Sequence, residues 1–384
     1  MKLAILKERR PGEARVAGSP DVVRKLMHLG FEVAVERGAG AGASYSDATF
    51  RDAGAGIADD AGAALDSADV IFKVQRPIVE GGAKSELASI PKGALLIANL
   101  QALAHKKDME ACAEAEITAF AMDLMPRITR AQSMDVLSSQ SNLAGYRAVL
   151  DAAAEIGRAF PMMMTAAGTI APAKVLVVGA GVAGLQAIAT AKRLGAVVTG
   201  YDVRASVKEQ VESLGGRFLE VDPEAAAEAE TEGGYAKEMS AAYQKKQAET
   251  LHEALKKQDI AICTALIPGK PAPVLITEDV VKGMKPGSVI VDLAVEAGGN
   301  CELSVLDEVV MKHGVKIVGY GNMPSRLAED ASALYARNLL NFITLLVDPE
   351  TKSLAIDWDD EIVKGTLVSR DGKMVNPLLE GKGA

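Results

Sequence analysis

Three glycines in one short turn, followed by an aspartate at the end of the next strand, form the clearest chemical pattern in this sequence. The run KVLVVGAGVAGLQAIATAKRLGAVVTGYD has the spacing G-x-G-x-x-G between an apolar strand and a helix. Gly179 permits a tight turn, Gly181 lets a pyrophosphate approach the backbone, and Gly184 lets helix and strand pack closely. Free N–H groups at the helix N-terminus favour phosphate binding. The pattern predicts a dinucleotide site that includes Ala180 and Val182.

Asp202 ends the second strand of this pattern and predicts which dinucleotide is bound. Its carboxylate is placed to accept hydrogen bonds from the adenosine ribose hydroxyls and would repel a 2′-phosphate, which favours NAD(H) over NADP(H). Val203 and Arg204 follow directly and belong to the predicted site. Arg204 keeps the alternative open, because an arginine near this position can accommodate a 2′-phosphate.

The turns after the other strands of the same sheet should complete this site, because ligands lie outside the carboxyl ends of parallel strands. These turns contain Thr264 to Leu266, Glu296 to Gly299, and Gly321 with Asn322. The charged region Thr231 to Glu249 is interpreted either as a solvated helix or as a lid that closes on the cofactor.

A positioned acid–base group, which the oxidation of an alcohol or amine by a nicotinamide cofactor requires, is not evident. Of the four histidines, only His105 follows a strand end closely. Polar side chains follow other strand ends, namely Lys73, Gln75, Arg76, Gln101 and Arg127. These groups are predicted to meet at one edge of a sheet. Any single lysine or arginine there, however, is more often solvated. Direct hydride transfer between two nicotinamide rings needs no such group, only close stacking of both rings.

Composition limits the remaining possibilities. The chain has 384 residues, 49% of them hydrophobic, and a formal charge of −9 without a basic block. This length allows two ordinary domains, and the charge argues against nucleic-acid binding. The first residues lack the pattern of a signal peptide, which predicts a cytoplasmic protein. The cysteines Cys112, Cys263 and Cys301 form no CxxC pair and are predicted to be small buried residues, and no metal site is predicted.

Alternation of short apolar strands with helical segments predicts an α/β fold with two Rossmann-like, doubly wound parallel sheets. Residues 1–138, with about 326–384 packing back, are predicted to form an N-terminal α/β domain. Residues 139–164 should contain a connecting helix, over 142–160 with Pro161 beyond its end, and residues 165–325 a Rossmann domain that binds NAD(H).

Several specific motifs resemble one family over essentially the whole chain. They include KERRPGEARVAGSP, MPRITRAQSMDVLSSQSNLAGYRAV, GGYAKEM, TALIPGKPAP and AVEAGGNCE. They resemble the NAD(H)-binding component of proton-translocating nicotinamide nucleotide transhydrogenases. The resemblance implies a cytoplasmic homodimer of two-domain subunits, each with a cleft between its domains. It also implies docking onto membrane-spanning subunits, at the inner face of the cell membrane, and onto a partner that carries NADP(H). Hydride would pass between NADH and NADP⁺, coupled to proton translocation.

The same resemblance implies roles for individual residues. Catalytic roles fall on a polar loop and on the serine just beyond it: Arg127, Gln132, Asp135 and Ser138. Arg127 and Ser138 would hold the nicotinamide carboxamide, and Gln132 would bridge the two cofactors. Further cofactor contacts carried over from the family are Ile128, Gly234, Tyr235 on a mobile loop, Gln247, Ala265 and Leu266.

Two other functions stay open at this point. The related alanine dehydrogenases share Arg15 and a lysine at the position of Lys73, but their catalytic histidine falls at Gln101 here and their aspartate at Glu296. An amide cannot exchange a proton with a substrate, so this departure favours transhydrogenation. The other alternative is a non-catalytic NAD(H) sensor, which would have no need of the polar loop.

Overall fold

The computed structural model describes residues 1–79, 85–221, 240–267 and 269–379. The chain divides into two compact units, one made of Met1–Gln140 with Ser325–Ala384, and the other of Ser141–Pro324.

The first unit is built around an eight-stranded sheet. Its strands are β1 (Lys2–Ile5), β2 (Glu32–Glu36), β3 (Gly56–Ala58), β4 (Val70–Gln75), β5 (Leu95–Asn99), β6 (Thr118–Ala121), β18 (Leu367–Arg370) and β19 (Lys373–Met374). Strands β1 to β6 pair in parallel in the order β3-β2-β1-β4-β5-β6. This order is typical of a Rossmann-like sheet and confirms the predicted fold class. Strand β18 pairs antiparallel with β6, so the C-terminal tail extends the same sheet.

Helices cover this sheet, and local sequence explains where they begin. They are α1 (Pro20–His28), α2 (Asp47–Asp52), α3 (Ala61–Leu65), α4 (Lys106–Glu114), α10 (Ala328–Leu345) and α11 (Glu361–Thr366). In α1 the Ser19 side chain accepts a hydrogen bond from the backbone N–H of Val22, and Pro20 occupies the first turn. Both features are characteristic of helix N-termini.

The second unit contains a seven-stranded sheet. Its strands are β9 (Lys174–Val178), β10 (Val197–Tyr201), β11 (Arg217–Phe218), β12 (Ile260–Cys263), β13 (Val289–Asp292), β14 (Val309–Lys312) and β15 (Val315–Val318). Their order is β11-β10-β9-β12-β13-β15-β14, and only the edge strand β14 is antiparallel to its neighbour. The five strands that the sequence predicts here correspond to β9, β10, β12, β13 and β15.

The second unit also contains helices α6 (Val182–Arg193), α7 (Lys208–Ser213), α8 (Ala241–Leu255) and α9 (Glu278–Gly283), and helix α5 (Val136–Glu155) runs through the unit boundary. The sequence places α5 over 142–160, whereas it starts and ends earlier. Its early end is explained by Lys316, whose Nζ donates hydrogen bonds to the backbone carbonyl of Glu155 at 2.6 Å and to its carboxylate at 2.9 Å. A lysine at a helix C-terminus satisfies carbonyls that have no partner within the helix.

Two short antiparallel pairs complete the described strands, namely β7 (Met163–Thr165) with β8 (Gly168–Ile170), and β16 (Val347–Asp348) with β17 (Ser353–Leu354). Both faces of the main sheets are packed with apolar side chains. Cys112, Cys263 and Cys301 are all buried free thiols, as predicted. None of the helices in the described ranges combines the length and apolar character needed to cross a membrane.

Candidate nucleotide-binding site

The glycine-rich turn lies between β9 and α6, and its shape requires glycine at two positions. Gly179 has a φ of +97°, a conformation that side chains with a Cβ rarely adopt. A Cβ on Gly184 would lie 1.8 Å from the carbonyl oxygen of Gly179. Only glycine therefore fits at the position where the sequence predicts close packing of helix and strand.

Gly181 differs from its two neighbours in the motif because a Cβ there would meet no atom within 4 Å. It is the residue before α6, and no side chain caps this helix. The N–H groups of the first turn thus face an open approach with a favourable helix dipole. Among the residues of this turn, Ala180 is buried and Val182 is exposed. The turn fits a pyrophosphate.

Asp202 is tied to this turn by its carboxylate. Its Oδ2 accepts a hydrogen bond from the Ala180 N–H at 2.8 Å. Arg204 donates to the same carboxylate from its backbone N–H at 3.0 Å, from Nε at 2.9 Å and from Nη2 at 2.8 Å. Asp202 thus stands beside the predicted phosphate site and neutralises Arg204, while Val203 between them packs against the apolar core.

The turn after β12 is held by hydrogen bonds to the glycine turn and to Asn300. The Thr264 hydroxyl donates to the carbonyl of Gly179 at 2.9 Å. The buried side chain of Asn300 accepts from the N–H of Ala265 at 3.0 Å and donates to its carbonyl at 2.9 Å. Leu266, next in the chain, is an exposed apolar side chain. The structure thus brings the predicted residues Ala265 and Leu266 to a fixed turn of the same sheet.

The turns after β13 and β15 also meet. The carboxylate of Glu296 accepts a hydrogen bond from the N–H of Asn322 at 3.1 Å, and Asp307 accepts from Gly321 N–H at 3.0 Å. The strand-end turns predicted to complete the site are therefore linked to one another at the edge of the second sheet.

Of the charged region 231–249, the structure describes residues 240–249. Gly234 and Tyr235 lie outside the described residues. The predicted solvated helix corresponds to α8, which begins after Ser240. Gln247 of α8 is buried, and its Nε2 donates to the hydroxyl of Tyr201 at 2.7 Å. Burial, a hydrogen bond and the charge of nearby Tyr243 raise the pKa of Tyr201, which keeps its hydroxyl protonated.

In the first unit, the polar loop after β6 presents two of its predicted catalytic side chains to solvent. Residues Thr129–Met134 form a 3₁₀ helix. Arg127 and Gln132 are exposed, whereas Ile128 is half-buried against the core. Side chains exposed to solvent can be reached by a ligand or by a second protein.

Asp135 and Ser138 follow this loop and are half-buried. The Asp135 carboxylate accepts hydrogen bonds from the N–H of Ser138 at 2.9 Å and from its hydroxyl at 2.6 Å. This is the arrangement of a helix cap, so Asp135 starts α5 six residues before the predicted helix start. It also fixes the direction of the Ser138 hydroxyl.

Two strand-end cations of the first sheet, Lys73 and Arg76, are paired with carboxylates, whereas Arg127 is exposed. Lys73 is 0% exposed and pairs with Glu8 at 3.3 Å and Glu86 at 3.0 Å. Arg76 donates to Asp108 at 2.8 Å and to Gln101 at 2.8 Å. The expectation is wrong for Lys73 because carboxylates from two other segments reach it and compensate for its burial.

His105, the remaining acid–base candidate, precedes α4. Partial burial and the positive charge of Arg76 lower the pKa of His105, with Asp108 acting in the opposite direction. In the described parts of the chain, no group of three or more His, Cys, Asp or Glu side chains is arranged to hold a metal ion.

Two residues that the sequence reasoning missed support the site. A Cβ on Gly145 of α5 would lie 2.0 Å from the carbonyl oxygen of Ala183, so this glycine lets α5 pack directly on the start of α6. An isolated glycine inside a helical pattern is the signal that could have revealed it. Asn300 is the second residue, and its position in a glycine-rich turn gave no comparable signal.

Comparison with known proteins places the chain in a family. Residues 4–144 match the model of the alanine dehydrogenase/PNT N-terminal domain, and residues 148–377 match that of the alanine dehydrogenase/PNT C-terminal domain. The chain belongs to the alanine dehydrogenase/PNT family.

Within this family the chain is highly similar in sequence to transhydrogenase subunits. It is 65% identical to the first of the polypeptides that make up the NAD(P) transhydrogenase alpha subunit of Rhodospirillum rubrum, over 384 residues, which is 100% of both chains. The crystal structure of transhydrogenase from Sinorhizobium meliloti is 50% identical, with a TM-score of 0.88 over 98% of this chain and 100% of that one. The predicted resemblance is therefore confirmed.

An L-alanine dehydrogenase structure shares the fold at lower identity. It is 26% identical, with a TM-score of 0.82 over 100% of this chain and 99% of that one. This chain and that L-alanine dehydrogenase thus share one fold.

Proposed function

We propose that this chain is the NAD(H)-binding catalytic component of a proton-translocating NAD(P)⁺ transhydrogenase. The observation that carries the proposal is the polar loop after β6, where Arg127 and Gln132 are exposed and the Ser138 hydroxyl donates to Asp135. A protein that only stores or senses a nucleotide gains nothing from displaying these groups. A protein that presents one nicotinamide to another needs them.

The second unit would bind NAD(H). Its glycine turn and the N-terminus of α6 would hold the pyrophosphate, and Asp202 would accept the adenosine ribose hydroxyls. The ion pair between Arg204 and Asp202 favours NAD(H), because it neutralises the cation that a 2′-phosphate would use. Ala265, Leu266, Gly234, Tyr235 and Gln247 would line or cover the nucleotide.

The loop of the first unit would orient the nicotinamide. Arg127 and Ser138 would bind its carboxamide, and Gln132 would lie between the two cofactors. Bound NADH would supply a hydride directly to NADP⁺ on a partner subunit, giving NAD⁺ and NADPH without release of a proton. The side chains therefore act by orienting groups and excluding water, with no acid–base step.

The second candidate, an alanine dehydrogenase activity, is supported by the shared fold but lacks its acid–base group. At the relevant strand end the side chain is the amide of Gln101, which accepts a hydrogen bond from Arg76. Reduction of pyruvate with ammonia and NADH by the purified chain would establish this activity and refute our proposal.

A further component of the proposal is that the chain works as a homodimer attached to the inner face of the cell membrane through membrane-spanning subunits. The β7–β8 hairpin supports association with a second copy, because it exposes Met162, Met163, Met164 and Ile170, with Met164 80% exposed. Apolar side chains grouped on an exposed hairpin mark interaction surfaces. Sedimentation should show a dimer, and Met164→Asp should weaken it.

The proposed function is tested by reconstitution. Mixed with membranes that contain the other components, the chain should transfer hydride from NADH to an NADP⁺ analogue. Gln132→Asn, which keeps the amide but shortens its reach, should lower the transfer rate far more than the affinity for NADH. Tight binding of NADH without any transfer would leave the chain as a sensor, and equal losses of rate and affinity would assign Gln132 to ordinary binding.

A further inference from the structure

The backbone of the polar loop is held from one side by two asparagines of helix α10. The carbonyl oxygen of Ser133, next to Gln132, accepts a hydrogen bond from Asn338 Nδ2 at 2.8 Å and another from Asn341 Nδ2 at 2.9 Å. A carbonyl oxygen has two lone pairs, and here both have a donor. The 3₁₀ helix that carries Gln132 is thereby fixed to α10.

Asn338 also holds the start of helix α5. Its Oδ1 accepts a hydrogen bond from the hydroxyl of Ser139 at 2.8 Å, one residue after Ser138. Asn338 is only 7% exposed. One buried amide thus connects the segment that carries Gln132 to the turn that carries Ser138, and it sets the spacing between them.

A second buried chain of hydrogen bonds supports the same turn. Gln140 donates from Nε2 to the carbonyl of Ala331 in α10 at 3.1 Å and accepts from Arg15 Nη1 at 2.8 Å. Arg15 is paired with the carboxylate of Glu13 at 2.6 Å. The N-terminal segment GEARVA, residues 12–17, therefore contacts α5 near its start through Arg15. The proposed mechanism does not use this segment.

We propose that Asn338 is a positioning residue for hydride transfer, which acts by holding Gln132 and Ser138 at a fixed separation without touching either nucleotide. The inference rests on the proposed function. Transfer between two rings is highly sensitive to geometry, and a displacement of about 1 Å by a distant substitution can cost about 100-fold in rate. Under the proposed function, binding of NADH would depend mainly on the glycine turn and Asp202, whereas the hydrogen bonds of Asn338 go to Ser133 and Ser139.

The main test is Asn338→Leu, which keeps the side-chain volume and removes both hydrogen-bonding functions. In the reconstituted complex, transfer at saturating NADH should slow by about 10-fold to 100-fold, while the dissociation constant for NADH changes by less than about threefold. Asn341→Ala removes one of the two donors to Ser133 and should have a smaller effect of the same kind.

Ser332→Ala is the matched control. Ser332 is a buried residue of the same helix whose hydroxyl accepts a hydrogen bond from the N–H of Val16 at 3.0 Å. Its loss should lower the melting temperature and slow transfer far less than Asn338→Leu does, because the contacts of Asn338 with Ser133 and Ser139 stay intact. If Ser332→Ala slows transfer as much as Asn338→Leu at equal loss of stability, the effect is general destabilisation and the inference is wrong.

Hydrogen–deuterium exchange gives a readout that needs no partner. Exchange in the peptide covering residues 127–135 should accelerate in Asn338→Leu and in Asn341→Ala, but not in Ser332→Ala. A wild-type chain that transfers no hydride overturns the proposed function. A wild-type chain that transfers normally, with Asn338→Leu indistinguishable from it in rate and exchange, overturns only the positioning role.

Discussion

The carboxylate of Asp135 contacts Ser138 at two points, since Oδ1 accepts from its backbone N–H at 2.9 Å and Oδ2 from its hydroxyl at 2.6 Å. Asp135 therefore does two things at once. It caps helix α5, where a negative charge is favourable, and it directs the hydroxyl that we propose to bind the nicotinamide carboxamide.

Replacing this carboxylate should separate the two roles. Asp135→Ala should lower the free energy of unfolding by about 1 kcal/mol through loss of the cap and should also weaken NADH binding. Asp135→Asn retains an amide oxygen for the backbone N–H and should keep most of the stability. Thermal unfolding and NADH titration measure the two effects. Equal stability of the wild type, Asp135→Ala and Asp135→Asn would show that Asp135 does not cap the helix.

Two glycines of the dinucleotide turn should respond differently to the same added methyl group. The methyl group of Gly181→Ala would lie in open space, so the free energy of unfolding should change by less than about 1 kcal/mol. The affinity for NADH should fall at least about 10-fold, because the methyl group blocks the approach of the phosphate. Gly184→Ala meets the carbonyl of Gly179 and should lose stability and binding together. Wild-type affinity in Gly181→Ala would place the pyrophosphate elsewhere.

Cofactor choice should depend on the pairing between Asp202 and Arg204. Asp202→Ser removes the acceptor for the ribose hydroxyls, so NADH should bind about 10-fold more weakly. It also removes the charge that neutralises Arg204, which can then pair with a 2′-phosphate, so we expect measurable binding of NADPH. The double variant with Arg204→Ala should lose the gained affinity. NADPH binding that survives in the double variant would exclude Arg204 as its cause.

The buried pair of Glu13 and Arg15 should make stability depend on pH. Burial raises the pKa of Glu13, but the hydrogen bond and charge of Arg15 and a hydrogen bond from Gln75 outweigh it and hold the pKa below its ordinary value. A carboxyl with a lowered pKa stabilises the fold above its unfolded-state pKa of about 4.3, and this contribution is lost as pH falls through the folded-state value.

Glu13→Gln tests this dependence by removing the charge and keeping the shape. Urea unfolding should show a loss of about 3 kcal/mol at pH 7, because Arg15 remains buried without its partner charge. The difference from the wild type should shrink as the pH falls through the lowered folded-state pKa of Glu13, because the wild-type side chain then loses its charge as well. A difference that does not vary with pH would show that the charge is not responsible.

Local patterns made much of the fold predictable. The glycine turn and Asp202 lie within one strand-helix-strand unit, so their spacing in sequence determines their spacing in space. The short strand Gly56–Ala58 and the Met163–Ile170 hairpin were not predicted, because each has too few residues to show a period.

The long-range contacts of the candidate site were not predictable from local pattern. Asn338 lies 205 residues from the carbonyl that it binds, and nothing in the local sequence of either residue specifies the pairing. Its place on the buried face of α10, beside Tyr335 and Phe342, was the available signal. Lys73 illustrates the same difficulty, since its burial depends on carboxylates from other segments.

The discontinuity of the first unit has a consequence for how the protein is made. The second unit is one continuous segment, Ser141–Pro324, whereas the first needs Ser325–Ala384 to supply β18 and helix α10. During synthesis from the N-terminus, the second unit can complete its fold while the first still lacks these elements. The asparagines that hold the polar loop leave the ribosome after the nucleotide-binding sheet, so we expect nascent chains to acquire the dinucleotide fold before they acquire an ordered loop.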